Sequence, residues 1–417
     1  MVTETAVVGR RAPASLITLY ALGYVGAYVA LITPVATTLA LKIADLDPVG
    51  KEASLGLISA IGAFVALVVN PLAGALSDRT TSRFGMRRPW IVGGTALGLA
   101  GLATVGFAPD LAVVLAGWIL AQVGFNLVLS ALQALLPDQI PEGQRAKVSA
   151  VLGISQQVSP LIGIGIASGV MAAGGGFPLI FIVPGLVGAA LLAMLVVKLP
   201  DRVLDAAEGR FTLGEFVRGF RISPGKAADF GWTWLGRFFV ILAFAFYSTY
   251  QVYFITDRLG IPTDEVLLVQ LGALVIFTLV LTASAVTAGR LSDRLARRKV
   301  FVYAAVAIVS VGLVLLAVTP SIVVFMIAAG IMGVGIGAFF AVDLALVTDV
   351  LPDKEHGAAK DLGIFNIANT LPQSVAPAVA PLFLMVGGGG NYTVLFLAAA
   401  AFAVLGALFI VPIRAVR

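Results

Sequence analysis

The sequence has no cysteine, a single histidine and few charges: Asp, Glu, Lys and Arg make up 12% of its 417 residues. Without cysteine there is no disulfide, no thiolate metal site and no cysteine nucleophile. The one histidine, His356, sits in the polar stretch "LPDKEHGAAK" and reads as solvated, so no paired-histidine metal site is on offer. The glycines of "GVGIGAFF", 333–340, have no strand before them and no phosphate-binding lysine. They imply no ATP; Gly333 and Gly337 fit close helix packing instead. The residues therefore predict no enzyme, no metal and no cofactor, and they leave a membrane enzyme or receptor without a supporting motif.

What the chain has is apolar length. Hydrophobic residues reach 59%, with 46 glycines and a mean hydropathy of +1.03. A water-soluble fold of this size lacks the interior to hide so much apolar surface. Runs of about 20 apolar residues recur along the chain, each enough to cross a bilayer core of roughly 30 Å as a helix. Short alternating segments, the mark of a membrane barrel, are missing. The expectation is an all-α membrane protein.

Hydropathy broken at charge and Pro/Gly clusters predicts twelve spans: 15–43, 53–77, 89–108, 111–136, 148–172, 177–199, 230–256, 265–289, 299–319, 321–349, 359–385 and 391–413. The first apolar run is too long for a cleaved signal. The polar segment 200–229 separates residues 1–199 from 230–417, six spans from six. With the N-terminus in the cytoplasm, every Lys and Arg falls in a cytoplasmic segment except Lys42, Lys51 and Arg258 outside and Arg237 within a span. That asymmetry predicts an integral protein of the cell's inner membrane with both termini cytoplasmic. It also gives the net charge of +5 a topological meaning, and no nucleic-acid partner is expected.

The halves repeat. "GALSDR" (74–79) returns as "GRLSDR" (289–294), and "LPD" (136–138) returns at 351–353; both pairs are 215 positions apart. Each match follows an even-numbered span, so the repeating unit is six spans. The loop "NPLAGALSDRTTSRFGMRRPWIV", 70–92, resembles the G-x-L-a-D-R-x-G-R-R loop of major facilitator transporters. It is most similar to that of the glycoside–pentoside–hexuronide:cation symporters, in their sucrose–proton branch with S-D-R-x-T-S-R-x-G-R-R-R-P-F-I-V. "ALQALLPDQ", 131–139, is similar to the same branch's R-A-L-L-A-D segment. The resemblance implies two pseudo-symmetric six-helix bundles that carry a small polar solute, a sugar or glycoside first, by alternating access. It further implies a gradient of protons or substrate as the drive, and function as a monomer in the lipid bilayer. Two departures matter. Gln133 stands where the branch has arginine, and Asn70 and Ala66 stand where sodium-coupled members carry aspartates. The first keeps an exporter of amphipathic compounds in play; the second predicts no sodium site of that kind.

Charge inside a membrane helix costs about 2.5–3.5 kcal/mol on insertion scales, so it is a functional pointer. Two such residues stand out: Asp343, about 14 Å from its span's cytoplasmic end, and Arg237, about 12 Å in at 1.5 Å per residue. They read either as a proton-coupling pair or as a static ion pair. Gln122, Asn126, Ser130 and Gln133 share one face of span four, and Asn366, Asn369 and Gln373 one face of span eleven. Tyr20, Tyr24 and Tyr28 stack on span one, while span seven carries Tyr247, Tyr250 and Gln251. Amides and flat rings suit a ligand with many hydroxyls, or else interhelical packing. Gln156, Gln157 and Pro160 fit packing or a hinge. At the cytoplasmic loops, Asp78, Arg79, Arg83, Arg87, Arg88 and Asp138, repeated by Asp293, Arg294, Arg297, Arg298 and Asp353, predict a gate latch. Arg83, Arg87 and Arg88 are the expected partners of Asp138 or Glu142. The alternative is that the arginines only hold the loop inside.

Overall fold

The computed structural model describes residues 11–204, 228–295, 297–318, 320–350 and 358–413. Those residues form twelve long helices, with no strand among them. The first six are α1 (Ala14–Leu46), α2 (Lys51–Ser77), α3 (Arg88–Phe107), α4 (Leu111–Gln139), α5 (Glu142–Ala172) and α6 (Phe177–Lys198). The second six are α7 (Ala228–Arg258), α8 (Thr263–Leu295), α9 (Arg298–Val318), α10 (Ile322–Val350), α11 (Ala358–Leu384) and α12 (Tyr392–Ile410). Eleven are long and apolar enough to cross a membrane. The exception, α11, has the length but carries Asn366, Asn369, Gln373 and three prolines, Pro372, Pro377 and Pro381.

Local chemistry places the ends. Asp110 accepts from the Val113 amide at 3.0 Å and Asn391 from the Val394 amide at 3.1 Å, capping α4 and α12. Pro89 and Pro178 open α3 and α6, where a missing N–H costs nothing. Two helices run longer than hydropathy predicts. α5 begins six residues early, at Glu142, and α8 carries "GRLSDR" as helix to Leu295, whereas the matching "GALSDR" leaves the helix at Ser77. The two copies of the motif therefore differ in backbone form.

Packing repeats with the sequence. In the first half α1 lies against α5 and α6, α4 against α2 and α3, and α3 against α6. In the second half α7 lies against α11 and α12, α10 against α8 and α9, and α9 against α12. Across the halves α2 meets α11 and α5 meets α8, which the same exchange interconverts. These are two pseudo-symmetric six-helix bundles.

Small residues let backbones meet. Gly94, Gly98 and Gly101 of α3 face Gly117, Ala121 and Gly124 of α4, and a Cβ on Gly124 would press on the Gly94 and Gly98 backbones. Gly124→Ala is expected to cost about 1–3 kcal/mol by overpacking, while Gly93→Ala, which meets only open space, leaves the thermal unfolding midpoint in place. Equal midpoints for the two variants would refute this close approach.

α1 and α7 share one further feature. Each contains a five-residue π turn, Pro34–Thr38 in α1 and Phe254–Arg258 in α7. Both lie toward the end of the molecule opposite the arginine loop 78–88, called here the far end.

Candidate functional site

Three helices of the second bundle converge on Arg237. Its guanidinium, on α7, pairs with Asp343 Oδ2 on α10 and donates through Nε to Asn369 Oδ1 on α11 at 2.7 Å. Asn369 in turn donates to Asn366 at 3.3 Å. The guanidinium also lies over the Phe365 and Phe340 rings, 4.7 and 5.8 Å from their centroids. The Asp343 side chain is 1% exposed and that of Arg237 11%. One carboxylate oxygen, Asp343 Oδ1, is buried with no partner. An acceptor left open beside a buried ion pair is costly to keep and is the natural place for a proton or a ligand donor to land.

The first bundle answers with amides instead of charges. Asn126 donates to the Gln122 carbonyl at 2.8 Å and to its side-chain oxygen at 3.1 Å, and accepts from Asn70 of α2 at 3.4 Å. Gln122, Asn126 and Ser130 are buried; Gln133, one turn on, is exposed although α4 is ringed by α1, α2, α3 and α5. The face predicted from spacing thus divides, with three residues inside the bundle and Gln133 reaching open space. On α11, Asn366 and Gln373 are exposed and Asn369 is half-buried.

The tyrosines separate in the same way. Tyr20, Tyr24 and Tyr28 do stack, with centroids 5.4 and 5.9 Å apart, but Tyr20 is buried and donates to the Leu132 carbonyl at 2.6 Å. Tyr24 is buried as well, and Tyr28 is half-buried. Tyr247 and Gln251 are buried, the former against Phe244 and Phe396. Tyr250, expected to line a cavity, lies in the seam between the bundles at the far end. Its hydroxyl lies 3.1 Å from the Glu52 carbonyl of α2 and 3.2 Å from the Pro377 carbonyl of α11. On the exposed flank of α5, Gln156 and Gln157 face outward.

That seam contains residues the sequence did not single out. Tyr253 donates to the Ala40 carbonyl of α1 at 3.0 Å. Lys51 pairs with Asp257 at 2.5 Å, and Tyr392 donates to the same carboxylate at 2.7 Å. Pro377 and Pro381 sit tight against Gly56. The Tyr250–Glu52, Tyr253–Ala40 and Lys51–Asp257 contacts all join the bundles at this end.

At the arginine end a network of contacts runs within the first bundle. Buried Arg87 pairs with Asp78 at 2.6 Å and Asp138 at 2.9 Å and donates to Ser77 at 2.5 Å. Burial works against its charge, but the hydrogen bonds and charges of Asp138 and Asp78 outweigh it and hold the guanidinium above its ordinary pKa. Asp201 Oδ2 accepts from the Arg87 and Arg88 amides at 2.8 Å each, at the start of α3. The Arg88 guanidinium donates to the Leu199 carbonyl, and Arg79 to the Ala75 carbonyl at 2.7 Å. Arg83 departs from expectation: it is exposed and lies over the Phe84 ring instead of reaching Asp138 or Glu142. The second-half copy is looser. Asp293 meets Arg298 at 3.4 Å with its side chain 72% exposed, Arg294 and Arg297 are exposed, and Asp353 and His356 lie outside the described residues. Helical continuation through 289–294 carries Asp293 outward, with its side chain 72% exposed. Asp201 was legible in one respect, since "LPD" occurs a third time at 199–201.

Residues 14–277 and 233–417 each match the Major Facilitator Superfamily, and the chain belongs to that family. Proteins of this fold are membrane transporters and not enzymes. A General alpha-glucoside permease of Schizosaccharomyces pombe (strain 972 / ATCC 24843) is 28% identical over 122 residues. That match takes in 24% of this chain and 22% of the permease, so the chain spans about a fifth of that relative's length. Among solved structures, a mutant form of the nucleoside transporter NupG superposes with a TM-score of 0.74 at 13% identity, over 95% of this chain and 99% of that one. A bacterial homolog of the human lysosomal transporter Spinster, in an inward-facing and unoccupied conformation, gives 0.69 at 16% identity over 96% and 97%. At these identities the structures establish a shared fold.

Proposed function

We propose that this transporter moves a small polar solute, a glycoside by preference, by alternating access and coupled to protons. In this reading the protein is integral to the cell's inner membrane, the arginine end and both termini face the cytoplasm, and no cofactor takes part. One observation carries it: the bundles are joined at the far end while exposed amides of both, Gln133 of α4 and Asn366 of α11, lie toward the opposite end, with exposed Gln373 two turns further along α11. Amides offer donors and acceptors alike, which suits hydroxyl-rich ligands. A cavity sealed on one side and lined on the other is what alternating access requires.

Asp343 is the candidate proton acceptor through its open Oδ1, with Arg237 and Asn369 holding the opposite oxygen and the guanidinium in place. The Asp78–Arg87–Asp138 triad acts as a brace for the first bundle's cytoplasmic end, against which the second bundle closes. Proteoliposome uptake of radiolabelled sucrose and maltose, with and without an inward-acid pH gradient, tests the reading. Gradient-driven uptake that Asp343→Asn uncouples is the expected result. Normal coupling in that variant removes Asp343 from the proton path, and drug-stimulated proton release with no response to sugars points to export of amphipathic compounds. In the same assay Asp78→Asn should slow transport yet leave ligand affinity within a few fold; a large loss of affinity would end the brace reading.

A further inference from the structure

We infer that the first bundle carries an anionic-phospholipid headgroup site at its arginine end, separate from the transport path. The site is a groove of about 700 Å³ where three chain segments meet: the start of α1, the α4–α5 turn and the end of α6. Arg11 and Lys198 stand on its two sides, both exposed. Among the described residues neither has a hydrogen-bond or ion-pair partner, and none of those lining the groove is acidic. Two like charges facing one space with no counter-ion are repulsive until an anion enters.

The backbone adds to this field. α1 opens at Pro13, which offers no side-chain cap; its carbonyl takes the Leu16 and Ile17 amides, and those of Ala14 and Ser15 are left for another acceptor. Ser15 places a hydroxyl beside them on the groove wall. The floor is apolar, with Leu16 and Leu19 half-buried beneath the cations. Cations above an apolar floor at the point where spanning helices end match a phosphodiester with acyl chains below it. A free phosphate would use the cations and leave Leu16 and Leu19 idle. Juxtamembrane Lys and Arg attract anionic lipid, so two of them with a shaped floor make a selective site.

Native mass spectrometry and thermal unfolding of the full chain test this, with phosphatidylglycerol and phosphatidylcholine of identical acyl chains as probes. Wild type should retain phosphatidylglycerol several-fold more than phosphatidylcholine and unfold at a higher temperature with it. Arg11→Ala/Lys198→Ala should lose most of that preference. Lys147→Ala/Arg202→Ala, which removes the same charge from exposed positions of the same end, should keep it, and so should the charge-conserving Arg11→Lys/Lys198→Arg if the alanine pair folds poorly. Equal retention of the two lipids, or equal losses in the two alanine pairs, overturns the site. A matching shift with inorganic phosphate alone overturns the lipid assignment. None of these readouts depends on the transported solute.

Discussion

Arg237→Ala is expected to be among the most damaging single substitutions in the chain, costing about 3–5 kcal/mol by stranding a buried carboxylate. Asp343 would keep its place among α7, α10 and α11 with neither oxygen paired except to what Asn369 can reach. The measurement is the unfolding midpoint of purified protein in a single detergent. Arg237→Ala/Asp343→Ala should recover most of the loss, because removing both members of a buried pair is often close to neutral. The double variant then separates stability from function: it folds, and it no longer couples uptake to a pH gradient. If the double variant is as unstable as the single one, the pair is not where the energy lies. If it folds and still couples, proton movement uses another group.

The second large effect concerns the far end. The absence of native cysteine allows Lys51→Cys/Asp257→Cys to be made on an otherwise thiol-free chain. A short reducible bifunctional thiol reagent across this pair should bring transport close to background, and reduction should restore it. The reason is geometric: α2 belongs to one bundle and the π turn of α7 to the other, so a covalent link there prevents the bundles from parting. Transport that continues unchanged in fully cross-linked protein would show that the far end does not open. The unlinked double variant loses the ion pair and the Tyr392 hydrogen bond to Asp257, at a cost of about 1–3 kcal/mol, and its transport before cross-linking serves as the control.

The helices were legible because a bilayer demands a long apolar run and the chain interrupts each run with charge or with Pro and Gly. Boundaries failed where a helix leaves the membrane without stopping. Glu142–Lys147 and Arg290–Leu295 are polar, so hydropathy ends the span there, yet the backbone continues as helix. α11 is legible as a span from the apolar run 359–385, although its amides and prolines leave it outside the eleven helices apolar enough to cross a membrane. Asp343 and Arg237 were found because charge inside an apolar helix is rare. Depth offers their meeting without deciding it, and Asn369 as third partner was not readable, because each depends on how three helices are rotated about their axes. Tyr250 was misplaced for a related reason. Periodicity gives a face but not the depth at which that face meets another bundle. Asp201 and the Lys51–Asp257–Tyr392 cluster depend on contacts between distant parts of the chain, for which local pattern holds no information.

The π turn of α1 has a consequence for sequence length. A π turn contains one residue more than the α turn it replaces, and an extra residue swings everything beyond it by about 100° unless the bulge absorbs it. Here Pro34–Thr38 has helix on both sides, Ala14–Thr33 before it and Leu39–Leu46 after it, so the bulge lets both flanks keep the facing they would have in a chain one residue shorter. A one-residue deletion inside Pro34–Thr38 therefore converts the bulge to ordinary helix and preserves the phase of both flanks. Elsewhere in α1 the same deletion would turn every following side chain away from its neighbours. The span is thus tolerant of shortening at one place, and related chains that lack a residue there can keep the same packing at the far end.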